Sequence, residues 1–347
     1  MPPQPVVPPF SVITGAQVAD VLTGNEKQIV DLVEEVYRLH GRGDSVNPPS
    51  YFLRFPDRPT SRIIALPAAV GGEQATDGLK WISSFPENVA AGIPRASAVL
   101  ILNDHTTGYP FACLESSIIS ASRTAASAVL AADRLSPQGR PRRIGFIGTG
   151  LIARYIHQYL EATDWEFDRL GIHDLSAEHA EGFAGYLRGR PGDAPVVVHG
   201  TAEELIRESD LVVFATVAGA PHVHNPAWFG HNPLVLNVSL RDLAPEILLA
   251  SANFLDDVEH CLKADTSPHL TEQLMGSRKF IDGTLYDVLE GTAEVPTDRP
   301  VVFSPFGLGV LDIALGRYVH DRLKDAGGLG VIDGFFHDLD RYGRTSS

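Results

Sequence analysis

The stretch RRIGFIGTGLIARYIHQYL, from Arg142 to Leu160, sets Gly148, Thr149 and Gly150 between a short apolar run and a helix-like one. Glycine accepts positive φ and lets a ligand approach the backbone closely, so such a turn can present N–H groups to a phosphate. Ala153 fills the third small position of a GxGxxG/A pattern, the form of a dinucleotide-binding loop. A second apolar run ends in Asp174. A carboxylate there would accept hydrogen bonds from the adenosine ribose hydroxyls and repel a 2′-phosphate, so the cofactor expected is NAD rather than NADP. The alternative role for Asp174 is a cap on the helix SAEHAEGF.

Upstream lie five cations in suggestive settings: Arg54 in FLRFP, Arg62 in SRIIALPA, Lys80 in LKWISSFPEN, Arg95 in PRASA and Arg123 in SASRTAAS. A cation among apolar or small residues is costly to bury without an anion. The partner could be a substrate carboxylate or a protein carboxylate. His222-Val-His224 would place two imidazoles on one side of an extended segment, but Pro221 and Pro226 mark a loop and no third ligand follows at a familiar spacing. No metal is therefore expected. Cys113 and Glu115 have no histidine arranged around them, which suits a structural thiol rather than a nucleophile.

The elements that must position these groups follow from pattern. Thr14 suits the cap of a short helix, and NEKQIVDLVEEVYRLHGRG puts Ile29, Leu32, Val33, Val36 and Tyr37 on one helical face that Gly41 and Gly43 terminate. SYFLRF, RIIALPAAV, GLKWISSF and ASAVLILND read as strands. The alanine-rich SSIISASRTAASAVLAADRL reads as a long helix. From Arg142 the strands RIGFIG, DRLGIHD, PVVVH, DLVVFAT, PLVLNVS and NFLDD alternate with helices such as LIARYIHQYL, whose Ile152, Ile156, Tyr159 and Leu160 would be buried. Alternation of this kind gives a parallel, doubly wound α/β sheet. A helix is expected after Gly316, in RYVHDRLKDAG, with a second amphipathic piece behind it.

A chain of 347 residues has room for two domains, since single cores rarely grow beyond about 250 residues. The excess of 43 acidic over 28 basic residues makes the formal charge -15, which argues against nucleic acid as a partner. Two cysteines and no CxxC pair fit a reducing, cytoplasmic setting. The start, MPPQPVVPPF, lacks a basic n-region and an apolar h-region and suits an extended arm. No apolar run approaches the roughly 20 residues needed to cross a bilayer.

The combination of KWISSFPEN, SRTAASA and RIGFIGTG resembles the ornithine cyclodeaminase/mu-crystallin family over nearly the whole chain. FLRFP, RIIALPAAVGG, PRASA and NVSLRDLAPEI are most similar to its siderophore and antibiotic biosynthesis branch. The resemblance implies a Rossmann-type doubly wound NAD domain, residues 123–317, inserted in a second α+β substrate-binding and dimerisation domain, residues 1–122 plus 318–347. It implies a homodimer acting on a small amino-acid substrate. It makes Lys80 and Arg123 the matches to the family's carboxylate-binding residues, with Arg54 or Arg62 as a third and Arg95 beside them. Lys80 and Asp242, the aspartate of NVSLRD, become the catalytic candidates, although Glu246 follows Asp242 more closely than in the cyclodeaminase pattern. Asp312 would lie near the nicotinamide or cap a helix. The cofactor-binding set implied is Gly148, Thr149, Gly150, Leu151, Ile152, Asp174, Thr216 and Ser239.

The reaction implied for that branch is NAD-dependent oxidative cleavage of N-(2-amino-2-carboxyethyl)-L-glutamate to L-2,3-diaminopropionate and 2-oxoglutarate. Three alternatives stay open within the family: an ornithine or lysine cyclodeaminase, a ketimine reductase and an alanine dehydrogenase. A fourth is a non-catalytic carrier like some mu-crystallin relatives.

Overall fold

A computed structural model describes residues 6–72, 75–190, 194–337 and 339. The first five residues of the proline-rich arm and much of the tail after the last helix lie outside the described residues. The chain forms two compact units: residues up to Asn25, Arg42–Ser120 and Gly309 onward make the first, and Glu26–Gly41 with Ala121–Leu308 the second. The helix Glu26–Gly41 thus groups with the second unit, and the second chain boundary falls at 308/309, before the position expected from the sequence.

In the first unit, strands β1 (Ser11–Ile13), β2 (Ser45–Val46), β3 (Tyr51–Phe55), β4 (Arg58–Val70), β5 (Thr76–Ser84), β6 (Ala96–Asp104) and β7 (Pro110–Glu115) build one sheet, in the order β1-β7-β6-β5-β4, with β2 and β3 both on the outer side of β4. The neighbours from β3 through β7 are antiparallel. A short strand, Gly330–Val331, closes the other edge against β1, where an amphipathic piece was expected. Thr14 caps the helix Gly15–Leu22 in a capping box with Gln17.

One face of this sheet packs under the helix Gly309–Asp325. A Cβ on Gly316 would lie 2.1 Å from Leu100 Cδ2, and one on Gly78 would lie 2.6 Å from Ile313 Cδ1. Gly316 is therefore a close-packing position inside the helix rather than its start, which corrects the expectation; a mid-helix glycine weakens helix propensity by roughly 1 kcal/mol and so reads as a boundary. On the opposite face Leu53, Trp81 and Val99 remain 46%, 40% and 41% exposed.

The second unit is a doubly wound parallel sheet. Its strands are β8 (Arg143–Ile147), β9 (Arg169–His173), β10 (Val196–Val198), β11 (Leu211–Phe214), β12 (Leu234–Asn237), β13 (Ala252–Leu255), β14 (Ile281–Thr284) and β15 (Val301–Ser304), in the order β10-β9-β8-β11-β12-β15-β13-β14. β11, β12, β13 and β15 are buried along their whole length, as strands covered on both faces must be. Winding runs outward from β8 to β10, then resumes at β11 beside β8. The order reverses there, and ligands of such sheets bind at that crevice. β14 and β15 were not expected: β14 is IDGT, without an apolar run, and β15 is four residues between prolines.

Among the described residues no helix is long and apolar enough to cross a membrane.

Candidate functional site

The glycine turn lies at the switch point. Gly148 follows β8 with φ +85°, and a Cβ there would come within 2.7 Å of Ala215 O at the end of β11. Only glycine satisfies both the conformation and the close approach. Gly150 is the N-cap of the helix Leu151–Ala162, which has no side-chain cap, and a Cβ on Gly150 would meet nothing within 4 Å. An uncapped first turn of N–H groups beside an open glycine is what an anionic pyrophosphate needs, so these residues fit a dinucleotide. Ala153, Ile156, Tyr159 and Leu160 bury the helix against the sheet; Ile152 is only half-buried, because Ala153 takes the deeper position. Leu151, first in the helix, is half-exposed.

Asp174 is tied to this turn. Its Oδ2 accepts from Thr149 N at 3.0 Å and Thr149 Oγ1 at 2.7 Å, and its Oδ1 accepts from Ser176 N at 2.9 Å. Burial opposes its charge, but the donors from Ser176 and Thr149 outweigh that and hold its carboxyl below the ordinary carboxylate range. Ser176, not Asp174, caps the following helix by accepting from His179 N, so the capping alternative falls.

Thr216, Ser239 and Asp242 come together at the ends of β11 and β12. Asp242 is fully buried. Its Oδ1 accepts from Thr216 Oγ1 at 2.5 Å and lies 2.9 Å from His222 Nε2, while Ser239 Oγ donates to Oδ2. The Asp242 carbonyl also accepts from His222 N and Val223 N, each at 3.0 Å. His222, considered in the sequence only as a metal ligand with His224, instead pairs with Asp242: its side chain is 42% exposed against 0% for Asp242, so it connects the carboxylate to water. A separation of 20 positions left no spacing signal for the pair.

Arg123 lies on the helix Ser117–Arg134. Its guanidinium rests against Gly307, whose added Cβ would stand 2.6 Å from Nη1. Gly307 has φ +91°, and its N–H donates at 2.7 Å to the buried Asp256, which also accepts from Phe306 N at 2.9 Å. Asp256 thus fixes the loop that seats Arg123, and it too went unnoticed in the sequence.

In the first unit Lys80 is 2% exposed, and its Nζ donates to Asp312 Oδ2 at 2.7 Å and Ser120 Oγ at 3.2 Å. Asp312 belongs to the first turn of the helix Gly309–Asp325 and is fully buried. The carboxylate beside Lys80 is therefore a protein one. Arg54 is exposed, with its guanidinium 5.0 Å from the Phe52 ring centroid; Arg62 faces it across the strand pair, and Arg95 donates to Ser84 Oγ at 2.8 Å. Among the described residues, no group of three or more His, Cys, Asp or Glu side chains is placed to hold a metal. Cys113 and Cys261 are free thiols, the latter buried.

A switch-point glycine turn, an acidic residue after the second strand and a buried aspartate network define a dinucleotide-fold protein joined to an antiparallel-sheet unit. The profile of the ornithine cyclodeaminase/mu-crystallin family matches residues 13–327. The chain belongs to that family. It is 30% identical over 314 residues, 87% of this chain and 92% of the relative, to N-((2S)-2-amino-2-carboxyethyl)-L-glutamate dehydrogenase of Staphylococcus aureus. Two solved structures share the fold. Thermococcus litoralis Delta(1)-pyrroline-2-carboxylate reductase, in complex with NADH and L-proline, superposes with a TM-score of 0.84 at 21% identity, over 93% of this chain and 100% of that one. An archaeal alanine dehydrogenase dimer with bound NAD gives 0.83 at 24% identity, over 94% and 99%.

Proposed function

We propose that this protein is an NAD-dependent oxidoreductase acting on the carbon–nitrogen bond of an amino acid, and that its substrate is N-(2-amino-2-carboxyethyl)-L-glutamate. The products are L-2,3-diaminopropionate and 2-oxoglutarate, the former a building block for siderophores or peptide antibiotics. The observation that carries the reading is the uncapped, open glycine turn at the switch point with Asp174 bound to it. The similarity to the staphylococcal dehydrogenase supports the choice of substrate.

Gly148, Thr149, Gly150, Leu151 and Ile152 would hold the pyrophosphate, Asp174 the adenosine ribose, and Thr216 and Ser239 the nicotinamide side. When bound, NAD supplies the acceptor for a hydride from the glutamate α-carbon. The chain's own groups orient and move protons. Arg123 clamps a carboxylate bidentately and Lys80 adds a point charge, which sets the α-carbon in a reactive pose. As water hydrolyses the carbon–nitrogen double bond left by oxidation, Asp242 accepts and returns protons, exchanging them with solvent through His222.

The exposed apolar face carrying Leu53, Trp81 and Val99 is assigned to a second copy of the chain. A monomer by light scattering at micromolar concentration would contradict that assignment.

The cofactor assignment is tested by fluorescence titration with NADH and NADPH. NADH should bind at least about tenfold more tightly, since a 2′-phosphate meets the Asp174 carboxylate. Equal or reversed affinities would remove Asp174 from the ribose site.

A further inference from the structure

The Asp174 carboxylate is more heavily engaged than a ribose site requires. Its Oδ2 accepts from both the backbone N–H and the hydroxyl of Thr149, at 3.0 and 2.7 Å, and its Oδ1 accepts from Ser176 N at 2.9 Å. An ionised carboxylate has about four lone-pair sites, two on each oxygen. Among the described residues these donors fill Oδ2 and leave a single site, on Oδ1. A ribose offers two adjacent hydroxyls. It cannot take hold of both carboxylate oxygens while every one of these donors stays in place.

The two backbone donors are fixed. Gly148 N donates to His173 O at 2.9 Å, which extends the β8–β9 ladder beyond the pair Ile147 and His173 and holds the turn that carries Thr149 N. Ser176 is the N-cap of the helix Ala177–Arg188, anchored by its own side chain accepting from His179 N. The Thr149 hydroxyl is different, because rotation about χ1 alone carries it to another staggered position while the backbone stays where it is. The ground around it is open. Thr149 and Asp174 are half-buried, Leu175 beside them is fully exposed, and a Cβ on Gly150 would meet nothing within 4 Å.

We propose that the Thr149 hydroxyl is a placeholder for an adenosine ribose hydroxyl: it satisfies Asp174 Oδ2 in the free protein, gives way when the ribose arrives, and so sets how tightly NADH is held. In the free protein the placeholder keeps a half-buried carboxylate bonded and ionised. The cost falls on binding, where one hydrogen bond to a charged group is exchanged for another and the ribose gains less than it would from a vacant oxygen. A 2′-phosphate carries acceptor oxygens and no hydroxyl at that position, so displacing Thr149 gains it nothing. Thr149 thus acts at the ribose end of the site as well as in the glycine turn. The inference rests on the NAD reading of that turn and names the residue that tunes it.

Fluorescence titration with NADH and NADPH compares the wild type with three variants. Thr149→Val keeps the branched shape without the hydroxyl, Thr149→Ala removes both, and Thr149→Ser keeps the hydroxyl. Thr149→Val and Thr149→Ala should each bind NADH about tenfold more tightly than the wild type, the worth of one hydrogen bond to a charged group. NADPH affinity should stay within about twofold, and Thr149→Ser should match the wild type for both cofactors. Either of the first two variants carries the test if the other fails to fold. Unchanged or weaker NADH binding in them, a gain shared equally by NADPH, or a gain shared by Thr149→Ser would overturn the placeholder. The reading beneath it fails differently: a wild type that binds no NADH overturns the cofactor assignment and the placeholder together, whereas NADH bound equally well by all the variants overturns the placeholder alone.

Discussion

Lys80 Nζ and Asp312 Oδ2 are 2.7 Å apart, and both side chains are shut off from water, at 2% and 0% exposure. The helix carrying Asp312 is thereby pinned to the strand carrying Lys80 within the first unit. Removing the Asp312 carboxylate should destabilise the protein by about 3–5 kcal/mol, as for other broken buried pairs. Urea denaturation of Asp312→Ala checks this. The double replacement Lys80→Met with Asp312→Leu should recover most of the stability and none of the activity, which separates the structural role of the pair from the role of the Lys80 charge.

Gly307 supports Arg123 directly. Gly307→Ala places a methyl 2.6 Å from Arg123 Nη1 at φ +91°, so the guanidinium must move and the backbone is strained by about 1–3 kcal/mol. Steady-state kinetics should show the substrate KM raised about tenfold or more, as for loss of a bidentate carboxylate contact. NADH affinity should hold. An unchanged KM would detach Arg123 from substrate binding.

His222 links Asp242 to solvent. Asp242→Asn should lower kcat by about a hundredfold or more, the scale of general acid–base catalysis, with NADH binding retained. His222→Ala should lower kcat more than it changes KM, and added imidazole should restore part of the rate. Wild-type turnover in both variants would reduce the network to a loop anchor.

His157, on the helix after the glycine turn, is 1% exposed, and burial lowers its pKa to about 4 from 6.5. As pH falls, the unfolded chain takes up this proton before the folded one, so stability is full above about 6.5 and is lost toward pH 4. The group alone should cost about 2 kcal/mol between pH 8 and pH 5. Denaturation of wild type and His157→Phe at the two pH values tests it: the variant should lose less. Phe146 and Phe167, with ring centroids 6.3 and 5.5 Å from the imidazole, make an aromatic replacement tolerable.

The nucleotide fold was readable where local pattern and tertiary role coincide. β8, the glycine turn and its helix carry period, turn chemistry and burial in consecutive residues, and they stand where expected. β14 has no apolar run and β15 is four residues between prolines, so neither signals itself locally; each is fixed by its pairing with β13. The site divides in the same way. Asp174 follows a strand and could be picked out by position, whereas Asp242 was picked out by the family resemblance of NVSLRD. Asp312, His222 and Asp256 depend on partners distant in sequence, and no spacing encodes them.

The most direct test of the account is absorbance at 340 nm after mixing the protein with NAD+ and N-(2-amino-2-carboxyethyl)-L-glutamate, with ornithine in a parallel cell and ammonia assayed in both. Net NADH is expected from the first cell, matched by 2-oxoglutarate, and neither NADH nor ammonia from the second. Ammonia from ornithine without net NADH would contradict it and make the protein a cyclodeaminase; silence in both cells would contradict the substrate assignment outright.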